Sequence, residues 1–357
     1  MADQPPLAAT LLNSTNPSEE CGLEAEFQYG FFTVVYSLAF ILGLPGNAVA
    51  LYFLCQPSQR ARRSNIYFIN LSAVDLVFIC LLPMRIYYHS RGNDWVFGDV
   101  PCRITGTLFY LNIYLSIGFF TCIGMDRYLA VMHPVTYLRL KSSQYPLVLT
   151  VGIWILGSAI VLPLILGGPL DNVPGNSSRI SCFEDFSKRS WHNRLIPYNV
   201  CALTFGFLVP FTVIAVVFPV MAHRVCRIKN SIHRKVALRI IGFILAVSFF
   251  CFLPYNITHL FHFLMRLGFI QQCAASRHIY KLRRITLALV SLNSCLNPIL
   301  YFIPLISRRF SAPKFFYSKK VYNMNENTHS RTKATNPLCQ REAAIFPTVA
   351  TAEWSAV

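Results

Sequence analysis

Charged residues are scarce in this chain. Asp, Glu, Lys and Arg make up 13% of its 357 residues, and 54% are hydrophobic, whereas a soluble protein is about one quarter charged. This composition excludes a mainly soluble protein and leaves little chain for a separate soluble domain. The net charge of +17 is large, but the basic residues lie mostly in loops between apolar runs. Membrane topology explains such loops better than nucleic acid binding does, so we expect no nucleic acid partner.

Several motifs of catalysis and transport are also missing. The sequence contains no HExxH, GxSxG or phosphate-binding loop and no paired CxxC spacing, which argues against an enzyme and a cysteine metal site. We find no internal repeat of the kind that many transporters show, although a membrane transporter stays open as an alternative of a different class. Residues 1–26 lack both a basic start and an apolar core, so we predict no cleavable signal peptide and expect the first apolar run to direct insertion.

Seven apolar runs occupy most of the chain. Each is about long enough to cross a bilayer as a helix, and the runs cover residues 29–54, 66–88, 104–125, 145–167, 195–220, 236–265 and 279–303. The predicted fold is therefore an all-α membrane protein, a seven-helix bundle at residues 29–303. An odd number of spans places the two ends of the chain on opposite sides of the membrane.

Basic loops fix the orientation. The short loops after the first, third and fifth runs share one face and carry Arg60, Arg62, Arg63, Arg139, Lys141, Arg224, Arg227, Lys229, Arg234, Lys235 and Arg239. Positively charged loops stay cytoplasmic, so we predict a multi-pass plasma-membrane protein with its N-terminus outside. The external tail, residues 1–28, has no Lys or Arg.

The external segments contain glycosylation and disulfide candidates. Asn13 and Asn176 each begin an Asn-x-Ser/Thr sequence. Cys21, Cys102, Cys182 and Cys273 all fall outside, on the oxidising side. We pair Cys102 with Cys182, and Cys21 with Cys273.

The cytoplasmic end divides into two segments. Residues 304–320 combine basic and aromatic side chains and form a predicted amphipathic juxtamembrane segment on the inner leaflet. Residues 321–357 form a predicted disordered tail. Its last residues, Ser355-Ala356-Val357, have the pattern that PDZ domains bind by strand addition.

Polar residues recur at one depth inside the predicted bundle: Asp75, Asn112, Ser116, Asn293 and Asn297. Such groups are costly in lipid and face the interior. One carboxylate among several neutral oxygens suits a sodium ion, because hard cations take oxygen ligands. The alternative is a hydrogen-bonded cluster that needs no ion, and we expect no required cofactor.

Cations converge on the external side. Arg85 lies one turn inside the second run, where an unpaired charge is costly. A stripe at spacings of three and four on the sixth run includes Tyr255, His259 and Arg266, and we expect Arg284 to open the seventh helix nearby. Several cations suit a phosphate or carboxylate group. The candidate ligand-binding residues are Arg85, Tyr110, Tyr114, Lys188, Tyr255, Asn256, His259, Arg266, Lys281 and Arg284.

The ordered motifs resemble those of class A, rhodopsin-like G-protein-coupled receptors. They cover nearly the whole chain and comprise Gly46-Asn47, Asn70-Leu71 with Asp75, Trp95 with Phe97-Gly98, Cys102, Asp126-Arg127-Tyr128, Trp154, Cys182, Pro210, Cys251-Phe252-Leu253-Pro254 and Asn297-Pro298-Ile299-Leu300-Tyr301. The resemblance implies coupling to a heterotrimeric G protein, together with arrestin and receptor kinases as partners. It also implies coupling or switching roles for Asp126, Arg127, Tyr128, Phe252, Pro254, Asn297, Pro298 and Tyr301, with Asp126 holding Arg127 in the inactive state.

Two positions depart from the family pattern. Phe218 stands where the fifth helix usually has a tyrosine, and Arg234-Lys235 stand where an acidic residue would hold Arg127. The resemblance therefore implies atypical basal activity and G-protein efficiency.

Other motifs resemble the purinergic and lysophosphatidic acid branch of the family. They are Phe252 before the sixth-helix proline, Pro83-Met84-Arg85-Ile86, and the segment that begins at Cys182-Phe183-Glu184. Asn256 stands where nucleotide receptors tend to carry a histidine. We therefore expect an anionic lysophospholipid such as lysophosphatidic acid, with an extracellular nucleotide or another anionic mediator as the alternatives.

Overall fold

The computed structural model describes residues 26–56, 65–142, 144–166, 170–173, 176–182, 195–227 and 232–309. Within these ranges, seven helical spans are long and apolar enough to cross a membrane, which confirms the predicted all-α seven-helix fold. The first four helices are Phe27–Cys55, Ile66–Ser90, Asp99–Met132 and Tyr145–Leu166, with a short helix Pro134–Ser142 between the third and the fourth.

The remaining three spans consist of several segments each. The fifth comprises Ile196–Leu203, Thr204–Leu208 and Val209–Arg227, and the sixth comprises Ile232–Val247, Ser248–Phe252 and Leu253–Arg266. The seventh comprises Cys273–Ser291, Asn293–Leu296 and Pro298–Arg309. The seventh helix therefore begins six residues before the predicted run, and Arg284 lies three turns inside it. The expectation that Arg284 opens this helix was wrong, because the polar first turns look like a loop in the sequence.

Prolines explain two irregular turns. Thr204–Leu208 and Ser248–Phe252 are π-helical, and Pro210 and Pro254 follow each turn within two residues. Proline has no N–H to donate to the carbonyl four residues earlier, so the helix widens locally before it. These turns sit where the fifth and sixth helices face the bundle interior, with Gly206, Phe207 and Phe252 buried.

A β-hairpin covers one end of the bundle. Strands Leu170–Val173 and Asn176–Cys182 pair antiparallel, with an irregular register after Asn172. The Trp95 N–H donates to the Ile180 carbonyl at 2.9 Å, so the hairpin rests on the segment between the second and third helices. The sequence analysis did not predict these strands. We call this the hairpin end of the bundle and the opposite one the Arg127 end.

Disulfides also belong to the hairpin end. Cys102 is bonded to Cys182, which confirms this predicted pair and ties the third helix to the second strand. Cys273 is disulfide-bonded as well. Its predicted partner Cys21 lies outside the described residues, so that pairing stays a prediction. The first 25 residues, most of the juxtamembrane segment and the C-terminal tail also lie outside the described residues, so the predictions for these segments stay predictions.

Glycines allow the closest helix contacts in the core. A Cβ atom on Gly157 in the fourth helix would lie 2.8 Å from Leu115 Cδ2 and 3.3 Å from Leu111 Cδ1. Gly152, five residues earlier on the same helix, has nothing within 4 Å of that position. The third and fourth helices thus approach each other on the Gly157 side only.

Substituting Gly157 by Val tests this packing. We expect the added methyl groups to collide with the third helix and lower the melting temperature of the purified protein, because overpacking a core costs about 1–3 kcal/mol. Gly152→Val is the matched control and should melt like the wild type. Equal melting temperatures for all three proteins in the same lipid nanodiscs would contradict this account of the helix contact.

Candidate functional site

A cavity lies beneath the hairpin, between the first, second, third and seventh helices. Its lining combines aromatic rings with basic side chains and consists of Phe32, Tyr36, Arg85, His89, Phe109, Tyr110, Cys182, Arg283, Arg284 and Leu287. Three guanidinium groups therefore face one cavity. The disulfide of Cys182 holds the hairpin over it.

Arg85 and Arg283 lack counter-charges. Among the described residues no carboxylate pairs with either side chain, and the Nε atoms of both are buried without a hydrogen-bond partner. The Arg85 guanidinium carbon lies 5.9 Å from the centre of the Trp95 ring. Both residues are half-buried, and a charge that is partly withdrawn from water gains from a hydrogen-bonded counter-ion, so this cavity is suited to an anion.

Arg284 is held by its own helix. It is buried, it donates a hydrogen bond of 2.7 Å to the Tyr280 hydroxyl, and its guanidinium carbon lies 4.9 Å from the centre of that ring. Arg283 is a cavity residue that the sequence analysis missed. The spacing of Arg283 and Leu287 could have indicated it, because residues four apart lie on the same helical face and both line the cavity.

His89 is a second missed residue. Its ring stacks on Phe32 with 4.5 Å between centroids and 13° between planes. Its Nδ1 lies 2.7 Å from Asn93 Oδ1. It is four residues after Arg85 and so on the same helical face, a spacing visible in the sequence.

The other predicted ligand-binding residues occupy different places. Tyr110 lines the cavity, and deeper in the bundle the Tyr114 and Tyr198 hydroxyls are 3.1 Å apart. Tyr255 stacks on His259, both of whose ring nitrogens are buried without partners.

Asn256, Arg266 and Lys281, which were also predicted to bind the ligand, are not among the residues that line this cavity. Asn256 donates to the Phe252 carbonyl of its own helix, Arg266 ends the sixth helix, and Lys281 is exposed. Lys188 lies outside the described residues.

Four of the five predicted mid-depth polar residues form one hydrogen-bonded cluster, and the fifth, Ser116, is not hydrogen-bonded to it through its side chain. Asp75 Oδ1 accepts from Asn112 Nδ2 at 2.9 Å, and Asp75 Oδ2 accepts from Asn297 Nδ2 at 2.7 Å. Ser294 donates to the Asn112 and Asn293 side-chain oxygens. We call Asp75, Asn112, Asn293, Ser294 and Asn297 the Asp75 cluster.

The oxygens near this cluster fit a hard cation. Besides the carboxylate, Ser116 Oγ and Asn297 Oδ1 are buried without a hydrogen-bond partner. Oxygen ligands of this kind suit sodium. The described residues contain no group of three or more His, Cys, Asp or Glu side chains that could hold a metal ion, so a transition-metal centre has no support there.

Proline and glycine dock the first helix on the seventh. Pro298 cannot donate to the Ser294 carbonyl, and Asn47 Nδ2 donates to that carbonyl instead, at 2.7 Å. A Cβ on Gly46 would lie 2.9 Å from Pro298 Cγ. Farther along the seventh helix, the Tyr301 hydroxyl donates to the Phe68 carbonyl at 3.3 Å.

The Arg127 end combines an ion pair with tight packing. Arg127 is buried and lies 3.7 Å from the Asp126 carboxylate. A Cβ on Gly124 would lie 2.5 Å from Phe218 Cζ, so the ring fills the space one turn from Arg127. The Tyr128 ring contacts that of His133. The side chains of Arg234 and Lys235 are not among those that the structure describes.

Comparison with known proteins agrees with these motifs. The profile of the family "7 transmembrane receptor (rhodopsin family)" matches residues 46–301. The uracil nucleotide/cysteinyl leukotriene receptor of Mus musculus is 34% identical over 304 residues, covering 85% of this chain and 88% of the relative. The lysophosphatidic acid receptor 4 of Homo sapiens is 31% identical over 341 residues, covering 93% and 90%.

The family match settles the class of protein. A third relative, the lysophosphatidic acid receptor 6 of Gallus gallus, is 33% identical over 289 residues, covering 80% of this chain and 93% of the relative. These relatives are receptors, so the prediction that the chain is not an enzyme is confirmed and the transporter alternative is set aside. The chain belongs to the rhodopsin family of seven-transmembrane, G-protein-coupled receptors, in the branch of the nucleotide and lysophosphatidic acid receptors.

Proposed function

We propose that this receptor sits in the plasma membrane with its N-terminus outside and binds an extracellular anionic ligand in the hairpin-end cavity. The observation that carries the proposal is the pair of guanidinium groups, Arg85 and Arg283, that line this cavity and have no counter-charge in the part of the chain that the structure describes. An anionic headgroup would supply the missing charge and hydrogen-bond acceptors. Binding then favours the state that activates a heterotrimeric G protein.

An anionic lysophospholipid such as lysophosphatidic acid is the ligand that we favour. The cationic groups stand beside the apolar surfaces of Phe32, Phe109 and Leu287, which suit a molecule with one charged end and one hydrocarbon end. Two of the relatives reported above are named for lysophosphatidic acid.

An extracellular nucleotide is the second candidate. It is favoured by His259, whose two ring nitrogens have no hydrogen-bond partner and offer polar contacts, and by the relative that is named for uracil nucleotides and cysteinyl leukotrienes. A G-protein dissociation screen with lysophospholipids and nucleotides separates the two candidates.

Further partners and modifications belong to the same proposal. Arrestin and receptor kinases would act on the cytoplasmic side, and a PDZ domain would bind Ser355-Ala356-Val357. Asn13 and Asn176 would carry glycans. The PDZ motif and Asn13 lie outside the described residues.

We further propose that sodium binds the Asp75 cluster and stabilises the inactive state. The unpartnered oxygens of Ser116 and Asn297 support this proposal, because they and the Asp75 carboxylate are hard oxygen ligands of the kind that sodium takes. The ion would be an allosteric effector, so a ligand that favours the active state would oppose it.

Replacing Arg85 by Ala tests the anion site. We expect the EC50 of a lysophosphatidic acid agonist to rise roughly 30- to 1,000-fold, because losing one partner of a buried charge pair costs about 2–4 kcal/mol. Lys281→Ala is the matched control, since Lys281 is exposed, and its EC50 should change less than about threefold. Surface expression is measured for both variants. Unchanged potency of well-expressed Arg85→Ala would remove the headgroup site from the proposal.

Replacing sodium chloride by N-methylglucamine chloride at equal ionic strength tests the cation site. We expect agonist affinity to rise about fivefold without sodium, since allosteric coupling is commonly about 1–3 kcal/mol. Asp75→Asn should abolish the difference. Ser291→Ala is the control, because Ser291 is also buried on the seventh helix but bonds only its own Ala288 carbonyl. Sodium dependence that persists in Asp75→Asn would refute the site.

Phe218→Tyr tests the Arg127 end. We expect the new hydroxyl to support the active state and change basal or agonist-driven nucleotide exchange on a heterotrimer roughly threefold, which is the scale of one hydrogen bond. Phe211→Tyr makes the same substitution on the same helix, away from Gly124, and should leave exchange unchanged. If both variants match the wild type, the missing hydroxyl does not explain atypical signalling.

A further inference from the structure

His89 is a polar group at the wall of the cavity. Its side chain is buried between aromatic rings, with Phe32 stacked on one face and Tyr36 at 5.7 Å between centroids. Arg85 and Arg284 line the same cavity. The stacking fixes the plane of the imidazole, so its two nitrogens have fixed directions.

The hydrogen bond to Asn93 fixes the tautomer. Nδ1 lies 2.7 Å from Asn93 Oδ1, and an amide oxygen can only accept, so Nδ1 carries the proton. Asn93 is itself held in place, because it is buried, its backbone has φ of 62° and its N–H donates to the Tyr88 carbonyl at 3.0 Å. The backbone turn after the second helix therefore determines which ring nitrogen faces Asn93.

The other nitrogen, Nε2, is available to a ligand. Among the described residues none forms a hydrogen bond with it. In an uncharged imidazole with the proton on Nδ1, Nε2 is an acceptor. An uncharged ring also avoids placing a third positive charge beside Arg85 and Arg284. The cavity thus offers guanidinium donors for an anion and one acceptor beside them.

We propose that His89 Nε2 accepts a hydrogen bond from a ligand hydroxyl, so that the receptor selects anionic ligands that carry a hydroxyl near the anionic group. Arg85 and His89 are separated by four residues, about 6 Å along the helix axis, which sets the spacing of the two ligand groups. The inference rests on the proposed function, because it concerns the same ligand in the same cavity.

This spacing divides anionic ligands into two classes. A lysophosphatidic acid has a glycerol hydroxyl two carbons from its phosphate ester oxygen, and a nucleotide has ribose hydroxyls. A simple alkyl phosphate has the anion alone. Burying an acceptor without its donor carries a penalty, so a ligand without the hydroxyl loses affinity although its charge is unchanged.

The experiment compares ligands that differ by one hydroxyl. The probes are 1-oleoyl-lysophosphatidic acid and its 2-deoxy analogue, and in a second arm uridine diphosphate and its 2′,3′-dideoxy analogue. Each is measured for G-protein activation and for thermal stabilisation of the purified receptor. The wild type should prefer the hydroxylated member of the active pair by roughly three- to tenfold.

Variants of His89 test whether this side chain causes the preference for the hydroxylated ligand. His89→Phe keeps an aromatic ring for Phe32 and removes both nitrogens, and we expect it to reduce the preference to less than about twofold by weakening only the hydroxylated ligand. His89→Gln places an amide oxygen near the Nε2 position and should restore part of the preference. Tyr87→Phe is the control, because Tyr87 lies on the same helix but is exposed and does not line the cavity, so this variant should retain the preference.

Three outcomes would contradict the inference. If the wild type does not distinguish the two members of the active pair, Nε2 receives no ligand hydroxyl. If both His89 variants weaken the two members equally, His89 has only a structural role in holding the Asn93 turn. If no probe activates or stabilises the wild type, the proposed function fails and the inference fails with it. The first two outcomes leave the anionic receptor intact.

Discussion

Polar groups inside the bilayer must find partners within the bundle, and this constraint organises the structure around Asp75. Both carboxylate oxygens accept amide hydrogen bonds, one from Asn112 on the third helix and one from Asn297 on the seventh. Water is absent from the hydrocarbon core, so each unsatisfied group would cost several kcal/mol. The same rule explains Asn47, whose amide occupies the Ser294 carbonyl that Pro298 leaves without a donor. The break in the seventh helix is tolerated because the first helix compensates for it.

The third and seventh helices connect the cavity to the Arg127 end. The third helix carries Tyr110 at the cavity, Asn112 in the Asp75 cluster and Arg127 at the far end. The seventh carries Arg283 at the cavity, Asn297 in the cluster and then the final α-helical segment Pro298–Arg309. A ligand bound at Arg283, as proposed, would therefore act on the same helix that Asp75 and Asn47 hold through hydrogen bonds. The proposed ligand and the proposed cation would then share one helix through which to oppose each other.

Hydropathy and motif order predicted the seven helices, the Cys102–Cys182 disulfide and the Asp75 cluster, because lipid imposes length and burial directly on the sequence. The ends of the third and seventh helices were misplaced, since their charged first turns resemble loops. In the third helix, Arg103 and Asp99 form an ion pair of 2.6 Å four residues apart, which stabilises helix beyond the apolar run. Whether His89 and Arg283 line the cavity depends on how their helices are rotated and, for Arg283, on where the seventh helix begins. The hairpin is hydrogen-bonded to Trp95, which is distant in the sequence. The pattern of residues in the loop itself does not reveal this partner.

Packing and charge restrain the Arg127 end to different degrees. One contact between charges there, from Arg127 Nη2 to Asp126 Oδ2, is 3.7 Å long, which is longer than a charge-assisted hydrogen bond. Phe218 contacts the third helix where Gly124 leaves no side chain, and moving the ring away would expose a cavity next to Arg127. Cavity formation costs energy in proportion to volume and does not depend on salt, whereas screening weakens ion pairs. The fit of one aromatic ring against the third helix therefore restrains the Arg127 end in addition to its charged groups.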